Sequence, residues 1–241
     1  MFATFQIVLV YTLLGLPAAV LGIPISFLIG DIAPLYLVAM RIMRAGMRAG
    51  GIEVVVEGLE NVPVGRACIF MCNHVSNLDP PVVLPNLPGR SAVLLKKELM
   101  RIPLLGTAMG MAKFVPVERS SSREAAQRSV TAAAEALRSG LHILVFPEGT
   151  RSLTGRLSTF KKGPFFLARE TGAPIVPVAV SGTQGMMRKG SFAVYPGSAK
   201  VELLPAILPG DYGTREELMS AVHVALAKAL PEEMRPVASV S

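Results

Sequence analysis

The first forty residues carry one side chain charged at neutral pH, Asp31, and all 24 Lys and Arg residues come after them. From Phe5 to Gly30 there is no charge at all. About 20 apolar residues suffice to cross a bilayer, so the chain begins with a segment that seeks lipid. No Lys or Arg precedes the apolar run, which argues against a secretory signal peptide. Pro17, Pro24 and Pro34, with Gly15, Gly22 and Gly30, interrupt it. Two short helices forming a hairpin within one leaflet therefore fit at least as well as one straight span. Arg41, Arg44 and Arg48 succeed it at i, i+3, i+7, one face of a helix. A solvated face is the ordinary explanation for such a row; beside an apolar anchor, contact with anionic headgroups is the better one. The same arginines place the globular remainder of the chain on the cytoplasmic face of a membrane. The expected organisation is a membrane-associating helical segment over residues 1–49 and one globular domain over 50–241.

The remainder of the 241 residues is globular in character: 51% of the chain is hydrophobic and only 17% charged, with a net charge of +7. That balance excludes a disordered chain. The absence of Trp and the low aromatic content argue against a nucleic-acid surface, which needs aromatics interleaved with a basic patch. Short apolar runs at 52–56, 67–72, 92–95, 111–117, 141–146, 174–180, 192–195 and 200–204 predict strands. Ser121 with Glu124, and Thr214 with Glu217, are capping-box signatures that open two helical patterns, ended by Gly140 and Pro231. Helices between apolar strands predict an α/β fold with a mixed, largely buried central sheet. Cys68 and Cys72, four apart in an extended run, sit about 13 Å from one another, too far for a disulfide; free buried thiols are expected.

Three polar clusters come directly after predicted strands, at 73–79, 147–151 and 181–184. Ligands of open α/β sheets bind beyond the carboxyl ends of strands. In the first cluster, His74 precedes Asp79 by five residues. The carboxylate can take one ring N–H, fix the tautomer and leave the other nitrogen as a general base. A lone His beside a strand is more often structural, but here its neighbours weigh against that. No G-x-S-x-G elbow occurs, and Ser76 is too near His74 in sequence to assume triad geometry, so the base would act on a hydroxyl of the substrate. In the second cluster, Glu148, Gly149, Thr150 and Arg151 resemble an anion cradle; Arg grips a phosphate bidentately. Lys161 and Lys162 precede Gly163 and Pro164, a helix start that adds backbone donors. Arg119, after the 111–117 run, is a further cationic candidate. His142 and His223 are isolated, so no metal site is expected.

These blocks resemble the membrane-associated glycerolipid acyltransferases, most closely the 1-acylglycerol-3-phosphate O-acyltransferases. N-H-x-S-x-x-D is complete at Asn73, His74, Ser76 and Asp79, and F-P-E-G-T-R-S is complete from Phe146 to Ser152. The apolar stretch around a proline is matched at Ile175, Val176, Pro177 and Val178. The block usually written G-x-x-F-[I/V]-x-R is matched loosely at 110–119, ending on Arg119. Lys96, Lys97, Glu98 and Leu99, with Pro103 and Gly106, also look like the family. The resemblance covers about residues 50–185.

The resemblance implies a glycerol-3-phosphate acyltransferase-like fold and direct attack by a glycerol hydroxyl on an acyl thioester. His74, oriented by Asp79, would be the base, and no acyl-enzyme, metal or cofactor would be needed. Glu148 would help shape the acceptor site, while Arg151 with Lys97, Arg119 and Lys161 would hold the acceptor phosphate. Asn73, Ser76, Gly149 and Thr150 complete the substrate-binding set. Backbone N–H groups near the His74 turn would stabilise the oxyanion. The implied partners are a lysophospholipid acceptor, an acyl-CoA or acyl carrier protein donor, and the membrane surface, with no nucleic acid. Acylation of another lyso-lipid, such as a lyso-ornithine lipid, is the nearest alternative. A non-catalytic peripheral membrane protein would explain the apolar segment and the charge but neither motif.

Overall fold

A computed structural model describes residues 2–117, 123–187 and 190–236. In chain order the helices are α1 (Phe2–Val10), α2 (Leu16–Ile29), α3 (Ala33–Ala49), α4 (Asp79–Val83), α5 (Leu105–Met111), α6 (Arg123–Arg138), α7 (Gly163–Thr171), α8 (Thr183–Met186) and α9 (Arg215–Ala229). The strands are β1 (Ile52–Glu57), β2 (Ile69–Cys72), β3 (Ser91–Lys96), β4 (Val115–Val117), β5 (His142–Val145), β6 (Ile175–Ser181) and β7 (Gly197–Leu203).

The strands form one mixed sheet in the order β1-β7-β6-β2-β5-β3-β4. The five strands from β6 to β4 run parallel; β7 pairs antiparallel with β6, and β1 runs with β7. Central strands covered on both faces read as continuous apolar runs rather than alternating ones, and β2 is buried at every position. Ile69 and Met71 enter one core with Phe165, Leu218 and Leu226 beneath α6, α7 and α9. Phe70 and Cys72 enter the other with Met47, Val82 and Leu144 beneath α3 and α4. Cys68 and Cys72 are free and buried, as their spacing requires.

The N-terminal segment forms a hairpin whose first arm is longer than expected. The prolines do not divide it. A wider π-type turn at Tyr11–Gly15 joins α1 to α2, so Phe2–Ile29 is one continuous helix of 28 residues. Pro17 falls in the first turn after the wide turn, where its missing N–H costs little, and Pro24 is accommodated inside α2. The break comes at Gly30, which adopts a left-handed conformation with φ 69°. By length and composition Phe2–Ile29 could cross a membrane, and only 11% of its most apolar stretch is buried. α3 packs back along it and over the sheet. Both ends of the long helix are tied to the globular part. Thr4 Oγ1 accepts the Val194 N–H at 2.8 Å, and Asp31 beyond the turn pairs with Arg90 at 3.5 Å. Arg44 is exposed with Arg41 and Arg48, and its guanidinium also donates to the Pro85 carbonyl.

Two strand expectations are corrected. Residues 192–195 are not a strand: Tyr195 N–H turns back to the Met186 carbonyl, and Pro196 has no N–H to donate, so β7 begins at Gly197. Of 111–117 only Val115–Val117 pairs, because Met111 closes α5 and Lys113, at φ 59°, turns the chain first. Ser121, the expected cap of α6, lies outside the described residues. The Thr214 and Glu217 capping box forms as expected at α9.

Candidate active site

β6, β2 and β5 are adjacent and parallel, so the polar clusters at their ends, far apart in sequence, open side by side at one edge. At the end of β2 the chain turns around a carboxylate. Asp79 is fully buried at the start of α4, and its Oδ2 accepts the N–H groups of Val75 at 2.7 Å and Ser76 at 2.8 Å. The same oxygen lies 2.8 Å from His74 Nδ1. Thr183, at the start of α8, donates from Oγ1 to Asp79 Oδ1 at 2.6 Å. With every other contact on this carboxylate coming from a donor, His74 Nδ1 is the ring nitrogen that carries hydrogen. Nε2, the other ring nitrogen, has no protein partner among the described residues and in the neutral ring is an acceptor. The Phe146 ring stacks on the imidazole, with centroids 4.2 Å apart, and holds its plane.

Glu148 ties the second cluster to the first. It is 2% exposed; Oε1 accepts the His74 N–H at 2.7 Å and Oε2 the Ser158 N–H at 3.0 Å. Ser152 N–H returns to the His74 carbonyl at 2.8 Å. Burial pushes the Glu148 carboxyl above its ordinary pKa, opposed by the two backbone N–H bonds. Its oxygens thus brace the His74 turn rather than line an open site. Asn73 is likewise engaged: its amide donates to the Val180 carbonyl at 2.9 Å and accepts the Val180 N–H at 2.8 Å. That exchange extends the pairing of β2 with β6 past its last backbone partner. Ser76 is 1% exposed, with Oγ 3.4 Å from the Met187 carbonyl.

The N–H groups of His74, Val75 and Ser76 all end on carboxylates, so these three amides are not available to an oxyanion, and donors near the turn must come from other residues. Neighbouring nucleophiles are also locked away. Cys72 donates from Sγ to the Asn73 carbonyl, and burial, reinforced by the charges of Asp79 and Glu148, pushes its thiol pKa well up.

The cationic candidates stand around this core. Arg151 is half-buried and makes no hydrogen bond or ion pair among the described residues; the next residue is the one bonded to the His74 carbonyl. Gly149 (φ 73°) and Thr150 lie in the same loop, with Thr150 exposed. Lys161 donates its N–H to the Pro147 carbonyl, and its stem covers Gly149, where an added Cβ would lie 3.2 Å from Lys161 Cγ. Lys97 is exposed just beyond β3, two strands from β2. Arg119 lies outside the described residues. Among the described residues no group of three or more His, Cys, Asp or Glu could hold a metal ion.

Sequence reasoning misses Thr183, although it lies in the third cluster. The available signal is a hydroxyl directly after Gly182 at a strand end. Gly182 has φ 91°, and a Cβ there would meet the Ser198 carbonyl oxygen at 2.2 Å. Glycine lets the chain turn sharply enough to return Thr183 to Asp79.

A family model described as Acyltransferase matches residues 53–181, spanning every block around this site. The 1-acyl-sn-glycerol-3-phosphate acyltransferase of Limnanthes douglasii is 33% identical over 193 residues, covering 79% of this chain and 68% of that one. The protein of the same name from Pseudomonas aeruginosa is 32% identical over 216 residues, covering 86% and 82%. Among solved structures, the 1-acyl-sn-glycerophosphate (LPA) acyltransferase PlsC from Thermotoga maritima superposes with a TM-score of 0.81 at 27% identity, over 94% of this chain and 92% of that one.

Proposed function

The chain belongs to the acyltransferase family, and on that premise we propose that it acylates 1-acylglycerol-3-phosphate to phosphatidic acid. The donor is an acyl thioester, acyl-CoA or acyl carrier protein. The observation that carries this reading is the 2.8 Å contact of His74 Nδ1 with a saturated, buried Asp79 carboxylate, which leaves Nε2 ready to accept a proton.

In this reading His74 Nε2 takes the proton from the free hydroxyl of the acceptor as its oxygen attacks the thioester carbonyl. The new C–O bond forms a tetrahedral oxyanion. Collapse breaks the C–S bond, and the departing thiolate takes the proton back from His74, leaving ester and free thiol. Asp79 holds the imidazole in one tautomer and stabilises its charged form. The Thr150 and Arg151 N–H groups, which make no hydrogen bond among the described residues, are the donors we assign to the oxyanion. Arg151, with Lys97 and Lys161, meets the acceptor phosphate; Glu148, Asn73 and Ser76 act by holding the loops.

The apolar helix favours a lipid-borne acceptor. A 28-residue helix is about 42 Å long. Because both its ends are tied to the globular part, standing it across a bilayer would draw charged surface into hydrocarbon. We read it as lying in one leaflet, with the domain on the cytoplasmic face. Labelled acyl transfer by the purified chain tests the whole reading, with lysophosphatidate or lyso-ornithine lipid offered with each donor. Phosphatidic acid formation supports it; product from lyso-ornithine lipid alone replaces it with the alternative acceptor.

A further inference from the structure

Apart from Lys97, the segment between β3 and β4 has no role in the chemistry above, yet it presents apolar side chains to solvent beside the site. Leu99 is 43% exposed, Ile102 42% and Leu105 50%. They lie on a short helical turn, Lys97–Arg101, and on the entry to α5, and α5 packs against α2 of the hairpin. This apolar surface therefore continues the exposed face of the long helix, where Leu21, Phe27 and Leu28 are open.

The backbone here is built rather than slack. Leu104 adopts φ 59° and ψ −52°, and Leu105 N–H reaches the Pro103 carbonyl at 2.6 Å. That is a strained γ-turn, rare for a non-glycine residue. Gly106 sits so close to the Met100 carbonyl oxygen that a Cβ would meet it at 2.0 Å, so α5 is pressed onto the preceding turn. Strain that leaves leucine and isoleucine in water points to something that covers them. Charge points the same way: residues 96–113 contain Lys96, Lys97, Arg101 and Lys113 against Glu98, a balance suited to anionic headgroups.

We propose that residues 97–105 are a second membrane-contact element, in which Leu99, Ile102 and Leu105 enter an anionic leaflet beside the N-terminal helix. β3 stands two strands from β2, about 10 Å at the usual strand spacing. The element thus sets the rim of the His74 site at the headgroup level, and an acceptor can reach the base without leaving the bilayer. This rests on the in-leaflet reading of the hairpin.

The chain contains no Trp, so single tryptophans are unambiguous reporters. In the full-length protein, Ile102→Trp, Phe27→Trp and Val224→Trp mark the element, the hairpin and, on α9, the opposite face. Each is mixed with phosphatidylcholine–phosphatidylglycerol vesicles with and without brominated acyl chains. The expected result is blue-shifted emission and bromine quenching for Ile102→Trp and Phe27→Trp, and neither for Val224→Trp. Quenching at Phe27→Trp with none at Ile102→Trp overturns the second element while leaving the hairpin reading intact. No quenching at either overturns both. Leu99→Ser, Ile102→Ser and Leu105→Ser together should lower vesicle partitioning at least about tenfold; unchanged partitioning also overturns the proposal.

Discussion

Thr183 Oγ1 donates a 2.6 Å hydrogen bond to Asp79 Oδ1 across 104 positions of sequence. It ties the end of β6 to the carboxylate that orients His74, and completes a set of four donors with the N–H groups of Val75 and Ser76 and the His74 ring. Thr183 reaches no reacting atom and is a positioning residue. Thr183→Val keeps the shape and removes the donor. We expect kcat to fall about tenfold, the scale of a hydrogen bond to a charged group, with KM little changed. Thr183→Ser should restore kcat; a purely structural role would instead appear as lost folding in both variants.

His74→Ala removes the base. Turnover should fall about 10²–10⁴-fold while lysophosphatidate still binds, measured by calorimetry on the folded variant. Asp79→Asn should cost at least about a hundredfold, because an amide cannot accept from all four donors. Full activity in either variant would remove the proposed base.

Arg151 has no partner among the described residues to satisfy it. Arg151→Ala should raise KM for a phosphorylated acceptor about tenfold or more, the range of charge-assisted hydrogen bonds, and leave a neutral acceptor nearly unaffected. Equal effects on both acceptors would argue against a phosphate contact.

Glu148 makes stability depend on pH in a definite direction. Its folded pKa lies above the ordinary value of 4.5 because burial penalises the charged form. It therefore contributes stability below that ordinary value and loses it as pH rises through the raised one. The difference in Tm between the native chain and Glu148→Gln should narrow from about pH 4 to pH 7. A pH-independent difference would contradict the assignment. At any pH, Gln offers one acceptor oxygen to two N–H donors, so turnover should also drop.

Gly182→Ala tests the turn that delivers Thr183. At φ 91° and 2.2 Å from the Ser198 carbonyl oxygen, a methyl group should cost more than about 1 kcal/mol, read as a lower urea midpoint. Turnover should fall alongside, since Thr183 would be displaced.

What was legible in the sequence depended on how local the physics was. Strand ends, the α9 capping box and the pairing of His74 with Asp79 five residues later are short-range, and each is present. Residues 192–195 carry the composition of a strand yet lack a ladder partner, because pairing depends on neighbours that composition does not specify. The prolines of the first helix mislead for a related reason. A proline breaks a helix only when the freed carbonyl has no other accommodation, and the wide turn at Tyr11–Gly15 together with packing against α3 supplies it.

The sequence by itself determined an apolar N-terminal segment joined to a basic α/β domain, and two loops able to hold a base and an anion. Whether those loops meet was decided by strand order, which places β6, β2 and β5 side by side although β3 and β4 lie between β2 and β5 in the chain. The same tertiary arrangement turned Glu148 and Asn73 inward as braces, recruited Thr183, and took the amides of residues 74–76 for carboxylates. Residue type states which hydrogen bonds a group can make. Only the assembled sheet determines which partner arrives within about 3 Å, and a buried polar group keeps the partner that arrives.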